Sequence, residues 1–373
     1  MCKKAKANQY QNGMTIIGSA GVEEVYSTSV ESGQHDIHTI ALQERTYGGA
    51  GLCMSLAYAH AQPKDPIYFH TVVGELDQKL DTDAQALKDL LRCYSNISVH
   101  FQAKRGLVTE KNIILLKDGK RCGYRLGDTQ SQLARESFDP KDPALMESFR
   151  RSHSLVVTSL QPKIAFTLFK DFAHAQPHNL CTCYTINSSI AAALRASEGI
   201  QKKLSQVVDV MCLSEEEFEI IGGYTSLLAR KVPILYVTKG DQGGVVIDNG
   251  DGIQQSIRTS AFKVKHVRND NGAGEAAHAA FIQTLITFKQ NHVCEKLSLQ
   301  RLLAISGYIG NVAGALKVQS KKSLDFPKGL HTSVDLNLCM NESISPSTIG
   351  KCALKKHLAD STQRTYYSFL HEL

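Results

Sequence analysis

No stretch of this sequence approaches the ~20 consecutive apolar residues that a membrane-spanning helix needs. The basic start, MCKKAKANQYQNGMTIIG, lacks the apolar stretch of a signal peptide. Both absences favour a cytoplasmic protein without a membrane partner. Cysteine is present, ten in all, but no two stand at CxxC spacing and no CxxC…HxxxH array occurs. That excludes the common zinc-ribbon and zinc-finger sites. Only Cys181 and Cys183 lie close together. Two apart on a strand they face the same way, so a metal pair is conceivable, but small apolar residues in a reduced interior account for them more simply. The GxxxxGK[ST] phosphate loop is missing, as are HExxH and GxSxG, which removes the commonest NTPase, zinc-protease and hydrolase mechanisms. No arginine-rich stripe marks a nucleic-acid surface. The net charge of +6 over 373 residues helps attract an anionic ligand and implies little more.

What is present is a foldable α/β pattern. With 42% hydrophobic and 21% charged residues, the chain supports a packed core. Its length suits one large domain, with or without a smaller appendage. MTIIG reads as a short strand. In TYGGAGLCMSLAYAHAQ the pair Gly48–Gly49 leads into a helix pattern. PIYFHTVVGELDQ reads as a strand and DTDAQALKDLLRCY as an amphipathic helix with acids in its first turn. This alternation predicts a mostly parallel sheet. Short alternating runs then flank KDGK, where Asp118–Gly119 is a hairpin signal. That stretch, about 98–127, and the polar extended stretch of about 25–47 are expected to pair as a small β-sheet lid. Strand–helix alternation resumes with HSLVVTSL, NLCTCYTIN and VVDVMCLSEEEFEIIGGY. The main domain is expected over 13–330, and residues 331–373 form a C-terminal extension of unassigned role.

The stretch NGAGE, residues 271–275, has specific physics. Gly272 and Gly274 permit unusual backbone angles and Ala273 adds almost no bulk, so several N–H groups can converge on one spot. The helix that follows adds its positive end. Such a nest binds an anion and suits charge developing on a phosphoryl group. Glu275 stands beside it, where a carboxylate can take a proton from a hydroxyl. On its own this motif is more simply a glycine turn with a solvated acid at a helix start.

Its neighbours change that balance. YGGAGLCMSLAYA, VTKGDQGG, NDNGAGEAAHAAF and GNVAGALKV occur in an order that resembles the PfkB family of carbohydrate and nucleoside kinases, the relatives of ribokinase and adenosine kinase. The resemblance spans roughly residues 13–330. It implies a three-layer α/β/α ribokinase-like body with a β-lid. It implies ATP and Mg2+ as donor, a small-molecule nucleoside or sugar as acceptor, and a monomer or homodimer. A monovalent cation supporting the anion hole is also allowed. By the same resemblance Glu275 stands at the catalytic base and Gly272, Ala273 and Gly274 at the anion hole. Glu23, Gly48, Gly49 and Cys53 stand on the acceptor side. Ser214, Thr238, Gly240, Gly243 and Asn311 stand on the nucleotide side, and Glu217 at a water-mediated metal position. Asn271, together with Ala50 in place of a lysine, favours adenosine or a related nucleoside over a free sugar.

Several positions depart from the family pattern. The base is Glu275 rather than aspartate, and an extra methylene moves a carboxylate by roughly 1.5 Å. The early acid is also a glutamate, Glu23. Cys53 and Ser214 replace asparagines, and Asn269–Asp270 replace Asp-Thr. These changes leave a second reading open, a catalytically impaired relative that binds nucleotide or metabolite as a regulatory module. His278 is expected to be a helix histidine without a catalytic role, and Lys239 a solvated turn lysine.

Overall fold

Successive residues of the buried strands feed two different cores. Ile16, Val156, Cys183, Cys212, Tyr236 and Val246 join one, while Ile17, Val157, Tyr184, Leu213, Val237 and Ile247 join the other. This is the period-2 alternation of a sheet covered on both faces. The computed structural model describes residues 13–27, 41–117, 120–126, 137–250, 252–264, 266–320, 324–328, 330 and 334–360.

The strands are β1 (Gly13–Ile17), β2 (Gly21–Ser27), β3 (Ala41–Gly48), β4 (Ile67–Leu76), β5 (Lys79–Leu80), β6 (Ile97–Arg105) and β7 (Glu110–Lys117). They continue with β8 (Lys120–Leu126), β9 (Ser152–Thr158), β10 (Cys181–Thr185), β11 (Val210–Ser214), β12 (Ile234–Thr238), β13 (Gly244–Asp248) and β14 (Gln255–Thr259). The helices are α1 (Ala50–Ala61), α2 (Thr82–Arg92), α3 (Pro143–Arg151), α4 (Pro162–Ala175), α5 (Ser188–Arg195) and α6 (Glu198–Leu204). After them come α7 (Glu215–Ile220), α8 (Leu227–Lys231), α9 (Ala273–Gln290), α10 (Leu299–Lys317), α11 (Leu336–Met340) and α12 (Pro346–Asp360).

The large sheet has ten strands in the order β14-β13-β12-β11-β10-β9-β1-β4-β5, with β6 also paired to β4. Strands β6, β4, β1, β9, β10, β11 and β12 run parallel to one another, β13 and β14 close one side antiparallel, and the short β5 pairs antiparallel with β4. Helices α1, α2, α9 and α10 bury Leu52, Leu87, Phe281 and Leu303 on one face. Helices α3 to α8 bury residues such as Phe149, Phe169, Ile190, Leu204, Phe218 and Leu228 on the other. The result is the expected three-layer α/β/α body with a mostly parallel sheet.

The small sheet has the order β3-β2-β7-β8. Its extent differs from the expectation at both ends. Residues 98–105, expected in the lid, lie in β6, which pairs with β4 from Ile67↔Ile97 to Glu75↔Arg105. Alternation alone cannot say which sheet an amphipathic strand joins. Conversely, the lid begins earlier than residue 25, at Gly21 of β2. Strands β7 and β8 pair with Lys117 opposite Lys120, as a hairpin around KDGK requires; Asp118 and Gly119 themselves lie outside the described residues. Arg121 and Arg125 stand in β8 opposite Leu116 and Asn112.

The small sheet is fastened to the body through α2. Asp83 pairs with Arg45 of β3 and Lys111 of β7, each at 2.8 Å. Asp81 caps α2 through Ala84 N–H at 2.7 Å and also accepts from the N–H and hydroxyl of Thr109 at 2.6 and 2.9 Å. The region beyond 331 packs on the same body. Ile349, Ala353 and Leu354 of α12 enter the core that holds α10. The Arg301 guanidinium donates to the carbonyls of Cys339, Asn341 and Ile344 at 3.1, 2.6 and 2.8 Å.

Candidate active site

The sheet order changes direction beside β1. The chain runs from β1 outward to β4, then returns to β9 on the other side and continues to β12. In open α/β sheets the crevice at the carboxyl ends of the strands at such a switch is where ligands bind. Here that crevice is formed by Gly18 after β1 and Thr158 at the end of β9. A Cβ on Gly18 would meet Thr158 Oγ1 at 2.0 Å and Gly51 Cα at 2.9 Å, so the first turn of α1 sits directly on the end of β1. Gly49 precedes α1 with φ +100, a backbone that only glycine adopts without strain. Cys53 lies in that first turn, is buried, and its N–H bonds the Gly49 carbonyl at 2.9 Å.

Glu23 of β2 is 5% exposed and reaches this crevice. A Cβ on Gly48 would fall 2.1 Å from its carboxylate, so the glycine makes room for the acid. Glu23 Oε2 accepts a 2.6 Å bond from the Asn271 amide. Residues 248 positions apart, expected to serve the same reaction, are therefore in direct contact. A cleft beside them is lined by Gly18, Ser19, Thr71, Glu110 and Phe138, among others. The hydroxyls of Ser19, Thr71 and Thr158 are buried with no hydrogen-bond partner among the described residues.

Of the two glycines of the NGAGE turn, only Gly272 takes an unusual backbone angle, while Gly274 is helical. Gly272 has φ +79 and caps α9. Asn269 Oδ1 accepts from Asn271 N–H at 2.9 Å, which tightens the chain into the turn. Arg268 and Asn269 donate their N–H groups to the Val318 carbonyl at 2.7 and 3.2 Å, hanging the turn on the end of α10. One member of the expected anion hole differs. Ala273 N–H is already bonded to the Asp270 carbonyl at 3.1 Å, because the turn closes on itself there. The N–H groups of Gly272, Gly274 and Glu275 have no acceptor among the described residues. A Cβ on Gly274 would meet nothing within 4 Å, so the space in front of these donors is open. Glu275 is partly exposed in the first turn of α9.

The remaining candidates lie at the ends of β11 and β12. Ser214 and Glu217 form a capping box on α7, with Ser214 N–H on Glu217 Oε2 at 2.6 Å and Glu217 N–H on Ser214 Oγ at 3.3 Å. Burial raises the Glu217 pKa, the Ser214 bonds oppose this, and the charges of Glu275 and Glu216 add to the rise. Thr238 ends β12. Gly240 has φ +57 in open space, whereas a Cβ on Gly243 would strike the Thr259 carbonyl at 2.1 Å. Lys239, expected to be solvated, forms an ion pair with Glu215 that ties the two turns together. Asn311 is buried and its amide is taken up by protein. Its oxygen accepts from the Tyr236 hydroxyl at 2.9 Å, and its nitrogen donates to Thr259 and Ser260 carbonyls at 2.8 and 3.0 Å.

Residues 15–328 match the pfkB family of carbohydrate kinases. The chain belongs to this family. The solved structures it resembles include ribokinase from Giardia lamblia, at 18% identity and a TM-score of 0.67, covering 93% of this chain and 99% of that one. Arabidopsis thaliana ribokinase complexed with ribose and ATP matches at 15% identity and TM-score 0.61, over 92% of this chain and 98% of that one. A nucleoside kinase of Methanocaldococcus jannaschii matches at 15% and 0.62, over 93% and 99%. At these identities the structures speak for the fold. No curated protein sequence matches the chain.

In this pfkB chain several residues that shape the crevice or attach the small sheet gave no sequence signal. Gly18 and Gly51 matter only because α1 and β1 meet, and Thr109, Asp81 and Asp83 only because the small sheet hangs on α2. Glu110 is 5% exposed at the foot of β7 and was hidden in an alternating strand. Lys317, 0% exposed at the end of α10, stood unmarked in a helix of small residues. His278, as expected, is a packing residue: it is buried edge-on to Tyr236 with ring centroids 5.9 Å apart, and burial lowers its pKa to about 4. Cys181 and Cys183 are buried thiols, Cys183 lying 3.9 Å from Cys212. Among the described residues no group of three or more His, Cys, Asp or Glu side chains is placed to hold a metal ion, and no helix is long and apolar enough to cross a membrane.

Proposed function

We propose that this chain transfers the terminal phosphoryl group of ATP to a hydroxyl of a nucleoside or sugar. One observation carries the reading. The donors of Gly272, Gly274 and Glu275 face open space at the start of α9, with the Glu275 carboxylate on the same turn and the Glu23–Asn271 pair beside it. In this reading the acceptor oxygen attacks the terminal phosphorus, the bond to the departing ADP oxygen breaks, and Glu275 takes the hydroxyl proton. The free N–H groups hold the phosphoryl oxygens as charge builds on them. Glu23 and the hydroxyls of Ser19, Thr71 and Thr158, which have no hydrogen-bond partner among the described residues, suit an acceptor with several hydroxyls.

The nucleotide would lie between the Gly240–Gly243 turn and α9. Thr238 and Ser214 line the strand ends, and Asn311 supports the turn through Thr259 from behind. Magnesium would be held by phosphate oxygens and water, with the Glu217 carboxylate the acid at the β11 end that could meet that water. When bound, it would neutralise phosphate charge.

The impaired-kinase reading is favoured by the contact between Glu23 and Asn271, which occupies one oxygen of the acid expected to meet the acceptor. ATP turnover on a panel of nucleosides and sugars separates the two. Wild type is expected to phosphorylate at least one, and Glu275→Gln to lose about 10²-fold or more in kcat. Equal silence of both proteins, with nucleotide still bound, would establish the regulatory reading instead.

A further inference from the structure

We infer that Lys317 is a positioning residue that gives the anion-binding turn a cation of its own, so that the turn holds a phosphate without help from a monovalent ion in solution. The inference rests on the reading of this turn as a phosphate site. Lys317 is the last residue of α10 and has no exposed surface. Burying an ammonium is costly unless nearby groups stabilise it. Its stem passes under the turn: a Cβ built on Gly272 would lie 3.4 Å from Lys317 Cε and 3.3 Å from Phe326 Cζ. Its Nζ sits 5.7 Å from the centroid of the Phe326 ring, within cation–π range.

Both arms of the turn are braced on this one point. Gly272 lies against the lysine stem, and the entering residues Arg268 and Asn269 are hydrogen-bonded to Val318, the next residue along. A charge fixed here moves only if the turn moves. Burial pulls the Lys317 pKa down, and Cys53, Asp325, Glu275 and Glu44 act in the opposite sense. The carboxylates favour its charged form, and the ammonium in turn offsets the acids that would otherwise repel an incoming phosphate. The lysine therefore prepares the turn for an anion from below, while the N–H groups of Gly272, Gly274 and Glu275 receive it from above.

The test is calorimetric titration of ADP into the full chain, Lys317→Met and Lys317→Arg, each in potassium chloride and in tetramethylammonium chloride. Methionine keeps an unbranched stem against Phe326 without the charge. Wild type is expected to bind equally in both salts. Lys317→Met is expected to bind about tenfold more weakly in tetramethylammonium and to recover partly in potassium, while Lys317→Arg stays near wild type. Binding by wild type only in potassium, or equal binding by wild type and Lys317→Met, overturns the inference and leaves the phosphate site standing. No ADP binding by any form in either salt overturns the phosphate site and the inference with it. Should Lys317→Met fail to fold by thermal unfolding, the wild-type salt comparison decides alone.

Discussion

Replacing Gly274 by alanine should move stability and function in opposite directions. Gly274 is the second residue of α9 and is not among the glycines with positive φ. A Cβ there touches nothing within 4 Å. The backbone thus accepts alanine, and a glycine-to-alanine change in a helix stabilises by about 0.5–1 kcal/mol. For a chain of this size that is a rise of roughly 1 °C in Tm. The same methyl harms an anion site. Helical Cα–Cβ bonds lean toward the helix N-terminus, so the methyl enters the space before the free donors of Gly272, Gly274 and Glu275. A phosphate oxygen bonded at about 2.9 Å cannot share that space with a carbon needing about 3.5 Å of clearance. A displacement near 1 Å costs about 10²-fold in rate. Thermal unfolding beside ADP titration and kcat/KM gives both readouts. A Gly274→Ala protein that is as stable as wild type or more so, yet binds ADP and turns over unchanged, would refute the reasoning. Gly272→Ala is less informative, because φ +79 and close contacts with Phe326 and Lys317 predict loss of stability whatever the turn binds.

Gly48→Ala forces the Glu23 carboxylate aside and breaks its bond to Asn271, for a loss of roughly 1.5–3 kcal/mol; a lowered Tm and a raised acceptor KM are expected, and an unchanged KM would remove Glu23 from acceptor binding. Glu275→Asp shortens the proposed base by roughly 1.5 Å. Activity above wild type would identify a detuned kinase, whereas a fall would show that the crevice is spaced for glutamate. Burial lowers the pKa values of His153 and His278 to about 4, and burial together with the charge of His100 lowers that of His70 to about 3. The unfolded chain therefore binds more protons than the folded one between those values and about 6.5. Stability should be full above pH ~6.5 and fall as the pH drops toward 4, visible as a declining Tm that His278→Gln makes shallower; an unchanged slope in that variant would show that His278 is not buried neutral.

The order of elements was legible because it depends on local periodicity. Strands that alternate between two cores and helices that start at Gly48–Gly49 or Gly272 carry their pattern in neighbouring residues. The NGAGE turn was legible for the same reason: the left-handed backbone before α9 is met by its own Gly272. Assignment of strands to sheets was not local, and residues 98–105 went to the large sheet although their alternation suits either. The proposed donor set differs from the expected one by one residue for a reason of turn closure, since Ala273 N–H meets the Asp270 carbonyl and Glu275 N–H has no acceptor among the described residues. The sequence by itself determined a doubly covered α/β body with a glycine turn at a helix start and a glutamate in its first turn. Only the tertiary structure decided that Glu23 meets Asn271, that Asn311 clamps β14, and that a lysine lies buried beneath Gly272. Those are contacts between distant segments, and no residue type announces a partner that the chain brings to it only by folding.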